Sequence, residues 1–253
     1  MRLAFTLPLF FIILAPLYAR PLAGPTEIKT DTADGFDYPV AKPDALDYFK
    51  SRGWFKYHPG EDWVSTHPST LLGAPVYSIG IGVVVFTRNA PGGWGNVVIV
   101  RHAYYSENRL YRIDSFYAHL RRVIVKEGQF LAKGQQLGEI GTNQGMYHAH
   151  LHFEIRKNLL IGINRSGYPR TLDNYCLPTR FIEAHRKLKG GKHHVTIPMG
   201  TFAFQAEFPV PIDESQNPLR KKTTPQKKTS KSSSSSHQSK SFRVKRFEDL
   251  RSF

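Results

Sequence analysis

The sequence predicts a mainly β protein, a compact antiparallel β-sheet or sandwich domain with short flanking helices and a disordered basic tail. Two observations support this fold class. Between Pro75 and Ile155, short runs rich in β-branched and aromatic residues alternate with glycine-containing breaks. Strands spaced so closely favour antiparallel pairing over βαβ units. In addition, a length of 253 residues fits one sizeable domain with appendages.

Seven segments are predicted strands, and two are predicted helices. The strands are Pro75–Ile79, Gly82–Phe86, Asn96–Val100, Ser115–His119, Val123–Val125, Gln136–Ile140 and His148–Ile155. Ala45–Phe55 is predicted as one short helix. A second helix is expected to begin at Pro178 and to end at Gly190-Gly191. Beyond it, Val195–Val210 is predicted to add a strand or to pack as an extension, with Phe202, Phe204 and Phe208 at alternating positions.

The chain is predicted to comprise five segments. They are a signal peptide (1–19), a lead-in segment (20–53), the main domain (54–176), a C-terminal helix and extension (177–212) and a disordered basic tail (213–253). The signal peptide is indicated by Met1-Arg2, the apolar run Leu3–Leu17 and a small residue, Ala19, before the expected cut. An uncleaved anchor is the alternative, although the run is short of the about 20 residues of a membrane span. We expect the protein to be secreted, in the periplasm or cell envelope.

The net charge of +15 is concentrated near the C-terminus. From Arg220 onward, eleven Lys or Arg stand against two acidic residues, which gives +9 in the last 34 residues. A basic arm of this kind predicts attraction to an anionic wall polymer or a membrane surface rather than to nucleic acid. The alternative is a solubilising tail without a partner. The single cysteine, Cys176, excludes an intrachain disulfide and a cysteine-based metal site.

A histidine-rich segment near residue 150 is the first candidate for chemistry. His148, His150, His152 and Glu154 alternate with apolar residues, so a strand would place these four on one polar face. Neutral imidazoles bind zinc and also transfer protons near neutral pH. The alternative is a solvated strand face with no metal.

Further ligands are expected upstream, in His58-Pro59-Gly60-Glu61-Asp62. A tight turn at Pro59-Gly60 could bring the imidazole of His58 and the carboxylate of Asp62 onto one ion. One late histidine would complete three protein ligands and leave the fourth tetrahedral position for water, as in catalytic zinc sites. Spacing leaves open which histidine this is, since His148 and His152 are both eligible.

Three blocks resemble the signature motifs of the lysostaphin or LytM-type zinc endopeptidases, which cleave peptides of bacterial peptidoglycan. They are His58-x-x-x-Asp62, Tyr117-Ala118-His119-Leu120 and His150-Leu151-His152-Phe153-Glu154. They occur in the family's order, and the resemblance covers about residues 54 to 157. Supporting matches are Gly73–Tyr77, Gly95–Ile99, Val125–Gln129 and Lys133–Gly138.

The resemblance implies a substrate groove and one zinc ion held by His58, Asp62 and His152. It implies that His119 and His150 are catalytic, handling the attacking water and the charge of the transition state. The implied activity is hydrolysis of peptide bonds in peptidoglycan cross-links or stem peptides through a metal-activated water. The alternative is a non-hydrolytic relative that binds the wall or activates another hydrolase. Such members typically lack one or more of these five residues, and here all five are present.

Residues beside the blocks have their own expected roles. His148 has no counterpart in the family's pattern and is expected to be an exposed rim histidine. Glu154 either orients a metal ligand by accepting its hydrogen bond or faces solvent. The segment Ala103–Ile113 is expected to form a groove wall. Structural, rim or wall-packing roles are expected for His102, Tyr57 and Trp63.

Overall fold

Strands dominate the computed structural model, which describes residues 26–54, 58–163, 171–189 and 192–202. The predicted signal peptide and basic tail, together with Tyr57, Phe204 and Phe208, lie outside these ranges. The elements are β1 (Glu27–Asp31), β2 (Tyr48–Arg52), β3 (Glu61–Ser65), α1 (Pro68–Leu71), β4 (Pro75–Tyr77), β5 (Gly82–Ala90), β6 (Gly95–Ser106), β7 (Arg109–Val123), β8 (Phe130–Leu131), β9 (Gln136–Ile140), β10 (Leu151–Arg156), β11 (Tyr175–Cys176), α2 (Pro178–Ala184) and β12 (His194–Pro198).

Ten of the described strands form one large antiparallel sheet, which confirms the predicted fold class. Its main path runs β2-β3-β10-β7-β6-β5-β8, with β9 beside β7 and β11 beside β10. Strand β10 lies between β3 and β7. In this register His152 is opposite Asp62 on one side and opposite Ala118 on the other. The three histidine-containing blocks are therefore neighbours in space.

Apolar side chains cover both faces of the sheet. In β6, Val98 and Val100 belong to one core cluster, whereas Val97 and Ile99 belong to another. This alternation is the period-two pattern of a strand that is buried on both sides. Strand β10 follows the same rule, because His152 and Glu154 are as buried as the apolar residues between them. The polar face predicted for this strand is therefore buried rather than exposed to solvent.

A second, two-stranded sheet pairs the first and the last of the described strands. Strand β1 pairs antiparallel with β12, with Ile28 opposite Ile197. The buried Arg101 of β6 donates from Nη1 to the carbonyl of Pro198 at 2.6 Å and pairs with Asp114 at 2.7 Å. The strand predicted after the second helix is thus present as β12.

Several local predictions differ from the structure. The helix predicted over Ala45–Phe55 is wrong: its central residues form β2, which pairs with β3. Cross-strand pairing has outweighed local helix propensity there. The predicted strand Val123–Val125 is only the end of β7, and the histidine strand begins at Leu151 rather than His148.

The predicted C-terminal helix is present as α2 and begins at Pro178. Proline suits the first turn of a helix because the missing N–H has no helical partner there. The helix ends at Ala184, before the predicted stop at Gly190. None of the helices in the described part of the chain is long and apolar enough to cross a bilayer.

Candidate active site

Three buried side chains converge where β3 and β10 pair. Asp62 Oδ1 lies 3.0 Å from His58 Nε2 and 3.0 Å from His152 Nδ1. The three candidate ligand atoms all lie within 4.8 Å of one another. Four-coordinate zinc, with bonds of about 2.0 to 2.2 Å, places its donors about 3.3 Å apart. The donor set and its spacing therefore fit a single metal ion.

Gly60 allows this convergence. A Cβ atom at this position would lie 2.4 Å from the carbonyl oxygen of Phe153 and 2.7 Å from Cγ of Glu154. Only a residue without a side chain lets the turn after His58 approach β10 so closely. The glycine in His58-Pro59-Gly60-Glu61-Asp62 thus brings the turn against the strand that carries His152.

The outer nitrogen of each candidate histidine ligand has its own acceptor. His58 Nδ1 lies 2.9 Å from the carbonyl oxygen of Gly53, and His152 Nε2 lies 2.8 Å from Glu154 Oε1. An N–H on this outer side leaves the lone pair of the other nitrogen facing Asp62, as a metal ligand requires. Glu154 is fully buried and also accepts from Arg156 Nε at 2.6 Å. Of its two expected roles, orienting the ligand fits the structure and facing solvent does not.

Electrostatics keep the two carboxylates of this network ionised. Burial by itself would raise the pKa of Asp62. When no metal takes up their lone pairs, His152 and His58 can instead donate hydrogen bonds to this carboxylate, and these contacts lower its pKa well below the usual range. Burial opposes charge on Glu154 as well, yet the Arg156 guanidinium and His152 lower its pKa. For His152, burial would lower the pKa, but hydrogen bonds to Asp62 and Glu154 outweigh it and raise the pKa. The site is thus built to hold positive charge.

His119 and His150 lie beside this cluster, with their ring centroids 4.8 Å apart. His119 Nδ1 lies 3.1 Å from the carbonyl oxygen of Trp94, and His150 Nδ1 lies 2.8 Å from that of His148. Donation from Nδ1 leaves Nε2 of each ring as an acceptor. His150 Nε2 is 3.7 Å from Asp62 Oδ1. Burial lowers the pKa of both imidazoles, so both are neutral near pH 7.

The backbone of His119 has a left-handed conformation, with φ of +61°. A non-glycine residue in this region carries a local conformational cost, which the surrounding structure must offset. Here the backbone N–H of His119 donates to the Trp94 carbonyl at 2.9 Å. The indole ring of Trp94 also stacks on the imidazole of His119, with centroids 6.3 Å apart. Trp94 therefore fixes both the backbone and the ring of this histidine.

A groove with a volume of about 710 Å³ opens above these residues. The end of β2, with Ser51 and Arg52, forms one wall, and the loop Gly145–Ala149 forms another. His148 lies in this loop as an exposed rim residue, as expected. The prediction that Ala103–Ile113 forms a groove wall is wrong, because these residues lie in the β6–β7 hairpin and do not line this groove.

Two neighbouring residues have structural roles. His102 is fully buried, with Nδ1 2.9 Å from the carbonyl oxygen of Ile81 and Nε2 2.7 Å from Ser115 Oγ. Trp63 is buried and packs against Tyr38 with ring centroids 5.4 Å apart. Both findings agree with the roles expected from the sequence.

Sequence reasoning missed three contributors to the site: Gly53, Trp94 and Arg52. Gly53 and Trp94 act through backbone carbonyls, which no side-chain pattern reveals. The cluster Gly92-Gly93-Trp94-Gly95 was the available signal for Trp94, because glycines often mark close backbone approach. Arg52 was hidden in the segment predicted to be helical.

Comparison with known proteins identifies a family and several relatives. The family model described as peptidase family M23 matches residues 56–162. The peptidoglycan DD-endopeptidase ShyA of Vibrio cholerae is 36% identical over 104 residues, which are 40% of this chain and 22% of that protein. Lipoprotein NlpD of Yersinia enterocolitica is 34% identical over 84 residues, which are 33% of this chain and 78% of that protein. The antimicrobial peptidase lysostaphin from Staphylococcus simulans superimposes with a TM-score of 0.41 at 25% identity, over 57% of this chain and 53% of that one.

This chain thus spans about a fifth of the length of ShyA and most of the Yersinia lipoprotein. All three histidine-containing blocks of the groove fall inside residues 56–162. This chain belongs to peptidase family M23.

Proposed function

We propose that this protein is a zinc-dependent endopeptidase that hydrolyses peptide bonds in peptidoglycan cross-links or stem peptides. The observation that carries the proposal is the approach of His58 and His152 to one oxygen of Asp62, beside two further histidines in an open groove. Family membership and the relative named as a peptidoglycan DD-endopeptidase support the substrate class.

His58, Asp62 and His152 are the proposed zinc ligands. Two imidazoles and one carboxylate are a donor set that zinc favours, and three protein ligands leave one position for water. When bound, zinc supplies a Lewis acid that polarises the scissile carbonyl and lowers the pKa of a bound water to about 7. The hydrogen bonds of Gly53 and Glu154 hold the two imidazoles in the orientation that binding requires.

His119 and His150 are the proposed catalytic pair. Each is neutral near pH 7 and has Nε2 as an acceptor, so either can take a proton from the attacking water. We assign the proton transfer to His119, whose ring is fixed by Trp94. We assign stabilisation of the developing oxyanion to His150 in its protonated form, which donates from Nε2; Asp62, 3.7 Å from that nitrogen, favours the positive charge.

We propose that the protein acts outside the cytoplasm, in the periplasm or cell envelope. The predicted signal peptide (1–19) and the lipoproteins among the relatives support this location. Its partners would be peptidoglycan peptides in the groove and, through the basic tail (213–253), an anionic wall polymer or membrane surface.

The alternative is a non-hydrolytic wall-binding or hydrolase-activating protein. That function would require no functional metal site, whereas in this chain all five residues are present and close together. A third possibility is a wall-binding protein whose basic tail is the main functional part.

Digestion of purified peptidoglycan separates these functions. The full mature protein should release soluble peptides when loaded with zinc, and a chelator or the Asp62→Ala substitution should abolish the release. Binding without cleavage, or cleavage that a chelator does not affect, would contradict the proposal and favour the adaptor. Loss of binding only when the chain is cut at Pro218 would favour the third function, in which the basic tail binds the wall.

A further inference from the structure

Arg52 lies at the end of β2, at the wall of the groove. This strand precedes residues 56–162, so it is not part of the region that the family model matches. Two contacts join its end to Asp62. Ser51 Oγ donates to the backbone carbonyl of Asp62 at 3.2 Å, and Arg52 Nε lies 3.7 Å from Asp62 Oδ2.

The guanidinium of Arg52 gives the groove an uneven charge. Among the described residues that line the groove, Arg52 and Asp62 carry the formal charges. The Asp62 carboxylate is directed at two imidazoles and is 10% exposed, whereas the Arg52 side chain is 59% exposed. The wall formed by the loop with Met146 and Tyr147 is uncharged. A substrate in the groove therefore meets positive charge on the β2 side and neutral surface on the other.

We propose that Arg52 determines specificity by binding a free carboxylate of the substrate close to the scissile bond. The inference rests on the proposed function and narrows its substrate class. A peptide with a carboxylate beside the cleaved bond would be preferred over a neutral bridge such as oligoglycine. A planar guanidinium suits this task because it can bind a carboxylate through two parallel N–H···O bonds.

The geometry favours this role over a role in holding Asp62. The 3.7 Å separation of Arg52 Nε from Asp62 Oδ2 is longer than a hydrogen bond. Both histidine contacts to Asp62 are shorter, at 3.0 Å. Asp62 is thus oriented mainly by His58 and His152, and much of the Arg52 side chain is accessible to a ligand in the groove.

Two synthetic peptides that differ in a single group test the proposal. One carries a free carboxylate on the residue next to the scissile bond, and the other carries the corresponding carboxamide. We would measure kcat/KM for both with the zinc-loaded full-length protein, Arg52→Gln and Arg52→Lys. Lys50→Gln is the matched control, because it removes the same charge from the same strand at a residue that pairs with Glu61 and does not line the groove.

The wild-type protein and Lys50→Gln should prefer the carboxylate peptide by about tenfold or more, the size expected of a charge-assisted hydrogen bond. Arg52→Gln should lose this preference, because kcat/KM should fall about tenfold more for the carboxylate peptide than for the carboxamide peptide. Arg52→Lys should keep part of the preference, since it retains the charge without the bidentate geometry.

Three results would overturn the inference. Equal cleavage of both peptides by the wild-type protein would exclude carboxylate recognition but leave the proposed function intact. An equal loss on both peptides in Arg52→Gln, accompanied by a lower zinc content, would show that Arg52 acts through Asp62. Failure of the zinc-loaded wild-type protein to cleave either peptide or purified peptidoglycan would refute the proposed function and the inference with it.

Discussion

Glu154 Oε1 lies 2.8 Å from His152 Nε2, on the side of the imidazole opposite the nitrogen that faces Asp62. Both side chains are buried, and Arg156 holds the second oxygen of Glu154 at 2.6 Å. The orientation of a proposed metal ligand therefore depends on a carboxylate that is itself paired with a guanidinium. Substitution of such outer contacts typically costs about 10- to 100-fold in metal affinity.

Substitution of Glu154 should weaken zinc binding without removing any ligand. Glu154→Gln keeps an acceptor for His152 Nε2 but loses the ion pair with Arg156, so we expect a loss of about tenfold in zinc affinity. Glu154→Ala also leaves the Arg156 charge buried and unpaired, which should cost about 3 to 5 kcal/mol of stability. Competition with a chelating dye measures the affinity, and urea unfolding measures the stability. Unchanged zinc affinity in Glu154→Gln would refute the orienting role.

Gly60→Ala should disrupt the metal site through a backbone clash. The added Cβ would lie 2.4 Å from the carbonyl oxygen of Phe153, so the turn must move away from β10. We expect zinc affinity to fall by about tenfold or more, because ligand positions tolerate little displacement. Gly53→Ala is the control, since its nearest contact would be an ordinary 3.8 Å to the Lys50 side chain. Equal zinc affinity in the two variants would contradict this explanation of Gly60.

The buried pair of Arg101 and Asp114 should be essential to stability. Arg101 also donates to Pro198 in β12 and to the carbonyl of Leu159. Arg101→Met would leave the Asp114 carboxylate buried without its partner, at a cost of about 3 to 5 kcal/mol. Adding Asp114→Leu should restore part of the loss. Urea unfolding of the single and double variants measures both effects, and additive losses would argue against direct coupling.

His102 should make the protein less stable as the pH falls. Burial lowers the pKa of His102 to about 4 in the folded protein, whereas an unfolded chain has the ordinary value near 6.5. Between these values the unfolded state binds more protons, so the free energy of unfolding decreases as the pH drops from about 6.5 to about 4. The full difference corresponds to about 3 kcal/mol.

His102→Gln removes this titration, although an amide can still contact Ile81 and Ser115. The difference in unfolding free energy between wild type and variant, measured in urea from pH 7.5 to 4.5, isolates His102 from the other histidines. As the pH falls, the free energy of unfolding of the wild type should decrease relative to that of the variant. Parallel curves would show that His102 does not contribute the dependence.

The sequence predicted the parts of the site that depend on side-chain type and order. His58, Asp62, His119, His150 and His152 were all identified, and the structure brings them together across β3, β7 and β10. Spacing alone left His148 and His152 as candidate ligands, and the register of β10 distinguishes between them. A strand that begins at Leu151 buries His152 opposite Asp62 and leaves His148 in the rim loop.

What the sequence did not predict depends on long-range pairing. Tyr48–Arg52 has no clear hydrophobic periodicity of its own. It forms a strand because it pairs with β3. The contacts of Gly53 and Trp94 with the histidines run through backbone carbonyls, so their side chains gave no indication. Glu154 can be buried because it pairs with Arg156 of the same strand. The alternation of polar and apolar residues does not distinguish such a buried carboxylate from a solvent-exposed one.

The central claim is that the five residues divide into three ligands and two catalytic histidines. Zinc content and affinity measured on the five single alanine variants of the full-length protein, together with peptidoglycan hydrolysis, test this division most directly. The account predicts that alanine at His58, Asp62 or His152 abolishes tight zinc binding and hydrolysis together. It predicts that His119→Ala and His150→Ala retain one zinc ion per chain and lose hydrolysis. Loss of zinc from either of these two variants, or retention of tight zinc binding by Asp62→Ala, would contradict it.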